Sequence, residues 1–212
     1  MAASLRSIFV AIAAVFTALI AGAGDAQERR QLPIDLKAAS TDIDYRENRV
    51  RFRDVVISQG QTTVQAERAE ATGLDFDDSR WIFEGNVRIR VELRGTLRSD
   101  RAIVDFKDNR IERAAITGAP AEFEQQRAEA NVMARGRARA IEYAVADGTV
   151  RLSDEAWLTD GRNEISGPVL VYNIREERVQ ATGEPGGNER VRITINPNQG
   201  ESGQREPREK RP

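Results

Sequence analysis

The stretch Arg80-Trp81-Ile82-Phe83-Glu84-Gly85-Asn86-Val87-Arg88-Ile89-Arg90-Val91 decides the fold class. Trp81, Phe83, Val87, Ile89 and Val91 share one parity, with charged or polar residues at most positions between them. A two-residue period belongs to a β-strand with one face against an apolar partner and the other in water. A helix would bring apolar side chains round every three or four positions. Gly85 stands inside the alternation, where a strand bends or bulges.

The same alternation recurs outward along the chain, in Arg49-Val50-Arg51-Phe52-Arg53 and in Arg190-Val191-Arg192-Ile193-Thr194-Ile195-Asn196. One hairpin unit appears four times: Ile43-Asp44-Tyr45, Val104-Asp105-Phe106, Ile141-Glu142-Tyr143 and Leu170-Val171-Tyr172. Each is followed by a polar turn and a new strand opening at Val50, Ile111, Val150 or Val179. The aromatic-to-aliphatic spacing is five residues in two copies and seven in two, a change that preserves side-chain facing. A second unit holds Gly or Asp at its centre: Phe52-Arg53-Asp54-Val55-Val56, Phe83-Glu84-Gly85-Asn86-Val87 and Leu152-Ser153-Asp154-Glu155-Ala156. Together the units predict strand, bend, strand, turn, repeated into an elongated all-β stack. A compact two-sheet sandwich without true repeats is the competing arrangement. The Ala-rich segment Ala128 to Ala140, interrupted by Gly136, is expected to be a loop.

The termini read differently. Arg6 is the only charge before Asp25, Ile8 to Ile20 is apolar, and small residues lead to Ala26. That is a secretory signal, predicted to span residues 1–26 with cleavage after Ala23 or Ala26. Residues 27–197 form the β-domain, and the polar residues 198–212 are expected to be a disordered tail.

The chain has 212 residues, a net charge of −2, no Cys and no His. These absences exclude the Ser-His-Asp triad, thiol catalysis and the usual zinc sites, so neither a catalytic residue nor a metal ligand nor a cofactor is expected. Near-neutral charge argues against nucleic acid as a partner. The acidic pair Asp77-Asp78 has no apolar pocket around it to suggest glycosidase chemistry. No phosphate-binding loop of the ATPase type is present, so any transport is passive.

The order of these units resembles the LptA/OstA family of periplasmic lipopolysaccharide-transport bridge proteins. The resemblance begins at Leu32-Pro33-Ile34-Asp35-Leu36-Lys37-Ala38 and passes through Phe83–Val87. It continues in Thr117-Gly118-Ala119-Pro120-Ala121-Glu122-Phe123 and ends at Arg190–Pro197. Asp54 and Asp154 stand where the family more often has glycine.

The resemblance implies a slightly twisted, open β-jellyroll of two antiparallel sheets in a V, and a periplasmic location. It implies that the inward residues Val50, Phe52, Phe83, Val87, Ile89, Phe106, Leu152, Leu158 and Tyr172 line a groove for the acyl chains of lipid A. By themselves those residues read equally as a filled core, and small residues such as Ala66, Gly85, Ser99 and Gly167 as spacers or bends. The implied partners are lipopolysaccharide and the inner- and outer-membrane transport components. These would be joined by strand addition at Ile34 and Leu36 and at Ile193 and Ile195, with head-to-tail self-association as a further contact. The rows Arg49, Arg51, Arg53 and Arg88, Arg90 face outward, as a solvated sheet face or a contact for lipid A phosphates. Two other readings stay open: a membrane-anchored inner-membrane partner of the same pathway, and a secreted β-solenoid for structure or adhesion without a lipid ligand.

Overall fold

The computed structural model describes residues 33–73, 78–92, 95–108, 110–126, 133–144, 146–173, 176, 178–183 and 190–196. The predicted signal and tail lie outside the described residues. The chain forms β1 (Asp35–Lys37), β2 (Ser40–Asp44), β3 (Arg49–Gln59), β4 (Thr62–Thr72), β5 (Ser79–Val91) and β6 (Gly95–Lys107). It continues with β7 (Arg110–Gln126), β8 (Met133–Ala144), β9 (Thr149–Thr159), β10 (Glu164–Asn173), β11 (Arg178–Thr182) and β12 (Arg192–Thr194). All pairings are antiparallel, in the order β1-β3-β4-β5-β6-β7-β8-β9-β10-β11, with β2 also on β3 and β12 also on β10. Extensive contacts run only between hydrogen-bonded neighbours. The result is an open β-jellyroll, built as a one-dimensional stack.

The predicted hairpins form. Phe106 pairs with Ile111, Tyr143 with Val150 and Tyr172 with Val179. The first copy differs: Ile43 pairs with Val50, and Tyr45 lies in the turn, 80% exposed. The Asp44 carboxylate accepts hydrogen bonds from the backbone N–H groups of Arg46 and Glu47, so the chain turns before Tyr45 can join the strand.

The long strands lose regular pairing near their middles. Shifts in register fall at Gln65/Arg68, Glu84/Val87, Arg98/Arg101, Thr117/Ala121, Arg137/Ala140 and Gly167/Val169. Asp54, Gly85, Asn86, Asp154 and Glu155 have positive φ at these bends. The left-handed region is open to Gly and tolerated by Asp and Asn, whose short polar side chains suit it. Asp54 and Asp154 therefore bend their strands in the absence of glycine. The bend also resets side-chain facing: Phe52 and Val55 are three residues apart, yet both are buried.

The segment expected to be a loop corrects that reading. Residues 133–140 belong to β8, with Ala134, Gly136 and Ala138 buried and Arg135, Arg137 and Arg139 exposed. Gly136 does not break the strand; it makes room. A Cβ there would collide with the ring of Phe123 on β7 and with Leu158 on β9.

Candidate functional site

The row of bends divides each long strand into two limbs whose inward faces contribute to one buried cluster. The first limb holds residues 49–53, 68–72, 79–84, 101–107, 110–117, 140–144, 149–153 and 169–173. The second holds 55–59, 62–65, 87–91, 95–98, 121–126, 133–137, 156–159 and 164–167.

Aromatic side chains crowd the first limb. Phe52, Phe83, Tyr143 and Tyr172 are buried there, with Trp81 half-buried beside them. Trp81 stacks between Phe52, at 6.0 Å and 2°, and Phe83, at 5.8 Å and 16°. The intervening strand β4 permits this by presenting alanines: Ala69 pairs with both Phe52 and Phe83, and Ala71 with Val50 and Trp81. Strands about 4.8 Å apart leave rings on β3 and β5 within stacking range only if the residue between them is small. Trp81 was legible on the inward face of β5, but its place at the centre of the stack depends on the register of three strands.

The second limb is lined by aliphatic and small residues: Val55, Val87, Ile89, Val91, Leu97, Ala121, Ala134, Ala138, Ala156, Leu158 and Ile165 are buried there or at its edge by the bend, with Phe123 their one buried aromatic neighbour among the described residues. Among these apolar groups Ser99 Oγ and Gln125 Oε1 are buried without a hydrogen-bond partner. Such a group costs on the order of 1–3 kcal/mol relative to a bonded one. Neither was a sequence candidate as a polar contact. The signal available for Gln125 was its shared parity with Ala121 and Phe123.

Eight of the nine expected groove residues lie in the buried cluster: Val50, Phe52, Phe83, Val87, Ile89, Leu152, Leu158 and Tyr172. Phe106, opposite Ser79, is only half-buried and stands apart from that cluster. The inward face thus packs upon itself, and Leu36, Ile57, Val64, Trp81, Val104, Val179 and Val191 form a half-buried fringe against it.

The outward faces carry charge. Arg51 donates to Glu70 at 3.1 Å, and this hydrogen bond pushes the Arg51 guanidinium pKa further up. Arg49 reaches Glu70 at 3.5 Å and Glu47 at 3.3 Å. Arg139 contacts Glu155 through two nitrogens, at 3.2 and 2.6 Å. Of the arginine rows read from the sequence, Arg49 and Arg51 are thus engaged with carboxylates. Asp78 accepts a hydrogen bond from the Asp108 backbone, while Asp77 lies outside the described residues. Among the described residues no group of three or more potential metal ligands comes together.

At the two ends, β1 and β2 lie edge-on to β3, and β11 and β12 to β10. Among the described residues the five exposed large apolar ones, Ile34, Ile43, Tyr45, Ile193 and Ile195, all belong to these terminal segments. Leu36 differs from the other three edge candidates in packing against the cluster, opposite Ile57, whereas Ile193 pairs with Ile165 and stays exposed. The C-terminal segment is clamped by the β9–β10 turn, where Asn196 donates from its backbone N–H to Asn163 Oδ1 at 3.2 Å and from Nδ2 to the Arg162 carbonyl at 2.6 Å. Asp160 Oδ1 in turn accepts from the Arg162 and Asn163 backbone N–H groups.

Among solved structures, the chain is similar to LptH of Pseudomonas aeruginosa, described as the LptA homologous periplasmic component of the conserved lipopolysaccharide transport device. The identity is 22% over 78% of this chain and 96% of that one, with a TM-score of 0.42. No curated protein matches. The family model described as LptA/(LptD N-terminal domain) LPS transport protein matches residues 68–178, a span running from β4 into β11 and holding most of both limbs. By that match the chain belongs to the LptA/LptD N-terminal-domain family of lipopolysaccharide-transport proteins.

Proposed function

We propose that this chain is a periplasmic bridge protein that carries lipopolysaccharide by the acyl chains of lipid A, held along the inward seam. The observation supporting it most strongly is the continuity of that seam: β3 through β10 each contribute apolar side chains to one cluster. Burying a CH₂ group is worth about 0.8 kcal/mol, so a chain of ~12 carbons exposed to water costs on the order of 10 kcal/mol. A carrier must therefore offer an apolar lining at each step of the path. Because the inward side chains bury one another, an acyl chain replaces contacts between the limbs, entering along the half-buried fringe at Trp81, Val104, Ile57 and Val64. Membrane partners, or a second copy, add strands to the end edges, where exposed Ile34, Ile193 and Ile195 supply apolar contact.

Photo-crosslinking side chains placed at Phe52, Phe106 and Tyr172 test the seam in cells. Lipopolysaccharide adducts at these positions are expected; their absence at every inward position of a folded chain would sink the carrier reading and favour the purely structural one. For the ends, Ile193→Asp combined with Ile195→Asp is expected to reduce capture of the outer-membrane component. Full capture by that variant would remove the C-terminal edge from the docking model.

A further inference from the structure

The unpartnered amide in the second limb carries more information than the lining around it. Gln125 is 4% exposed, and its Oε1 has no hydrogen-bond partner. It is the penultimate residue of β7, in register with Gly95 on β6 and Ala134 on β8. Strand alternation puts it on the same face as Ala121 and Phe123, which are buried, while Glu122, Glu124 and Gln126 are exposed. Its other described neighbours on that face by register are Leu97 and Gly136, and none of these four offers a side-chain donor. Buried polar side chains in folded proteins nearly always have a partner, and an exception calls for an explanation. Ser99, a second buried group without a partner, pairs with Val87 beside the bend, so the two mark the inner and outer ends of the limb.

We propose that Gln125 is a specificity-determining residue of the seam: its Oε1 accepts a hydrogen bond from a donor on the acyl chain itself, an amide N–H or a hydroxyl close to the chain's head end. The position supports the head end, because Gln125 stands at the tip of the limb, away from the bend, where the polar part of an amphiphile leaves the apolar lining. A plain ester-linked chain has no such donor and leaves the acceptor unmet. This inference rests on the carrier reading and adds to it a preference among acyl chains.

The full chain is tested with two matched pairs of probes competing against a fluorescent fatty acid. N-methyldodecanamide is compared with methyl dodecanoate, and β-hydroxydodecanoate with dodecanoate. Wild type is expected to bind the donor-bearing member of at least one pair about tenfold more tightly, the scale of one buried hydrogen bond. The pair that shows it identifies the donor as N–H or hydroxyl. Gln125→Met, which keeps side-chain length and removes the amide, is expected to bring that pair to within about twofold, and Gln125→Leu to repeat the result. Equal binding within both pairs by wild type overturns the proposal whether or not the variants fold, and so does a preference that survives in Gln125→Met. Failure of all four probes to displace the fluorescent fatty acid overturns the carrier reading, and this proposal with it, an outcome distinct from equal displacement.

Discussion

The two limbs of the sheet are built on the same strands and yet solve different problems. The first is filled: Phe52, Trp81 and Phe83 stack over the alanines of β4, and Tyr143 and Tyr172 are buried farther along. The second is lined by Ala, Val and Leu, with Phe123 over Gly136 and two polar groups lacking partners. Rings in contact lose dispersion energy when separated, whereas short side chains have less to lose. The difference teaches that one continuous core face can divide its packing unequally between limbs. One limb supplies cohesion, and the other is the easier wall to move.

The largest effect expected to separate them is in the first limb. Phe83→Ala removes one partner of Trp81 and should destabilise the chain by about 3–5 kcal/mol, read from urea unfolding midpoints. A loss below about 1 kcal/mol would mean that the aromatic stack is not what holds that limb. Gly136→Val tests the second limb from the opposite direction, by overpacking. The added side chain meets Phe123 and Leu158, and a cost of about 1–3 kcal/mol is expected in the same assay. Little or no cost would show that the second limb yields readily, which sharpens the contrast.

Ser99→Ala is a smaller change with the opposite expected sign. Deleting a buried hydroxyl that has no partner should leave stability unchanged or raise it by up to about 1 kcal/mol. A clear loss in thermal or urea unfolding would show that the hydroxyl is satisfied in solution and that the second limb is as well packed as the first. The smallest effect is expected outside both linings. Arg139→Gln removes the contact with Glu155 on an exposed face and should leave the urea unfolding midpoint essentially unchanged. A larger shift would give the outward ion pairs a structural role that their exposure argues against.

Much of this organisation was legible in the residues. The alternation at Arg80–Val91 identified a strand, and the Gly or Asp at the centre of each second unit marked a bend that positive φ values bear out at Asp54, Gly85 and Asp154. β8 was misread because Ala and Gly are weak strand formers, although Ala134, Arg135, Gly136, Arg137, Ala138 and Arg139 alternate strictly between buried and exposed. The error came from weighing residue type above period. Tyr45 was misplaced for a different reason: a hydrogen-bonding carboxylate at Asp44 set the turn two residues early. The aromatic stack that sets the limbs apart was not legible, because it arises from register across strands far apart in sequence. Phe52 meets Trp81 only through β4, and no local pattern reports such a meeting.

Extensive contact that runs between neighbouring strands has a consequence for how this architecture sets distance. Ten strands in series at about 4.8 Å each give a ladder roughly 45 Å tall. Each further hairpin added at an end would lengthen it by about 10 Å and leave the contacts already made in place. Height is then a matter of counting, like links in a chain, and can be altered by duplicating a hairpin rather than by redesigning an interior. A compact core has no such freedom, since lengthening one element in it displaces all the others. The same arithmetic makes the molecule a ruler, whose span is written in its number of hairpins.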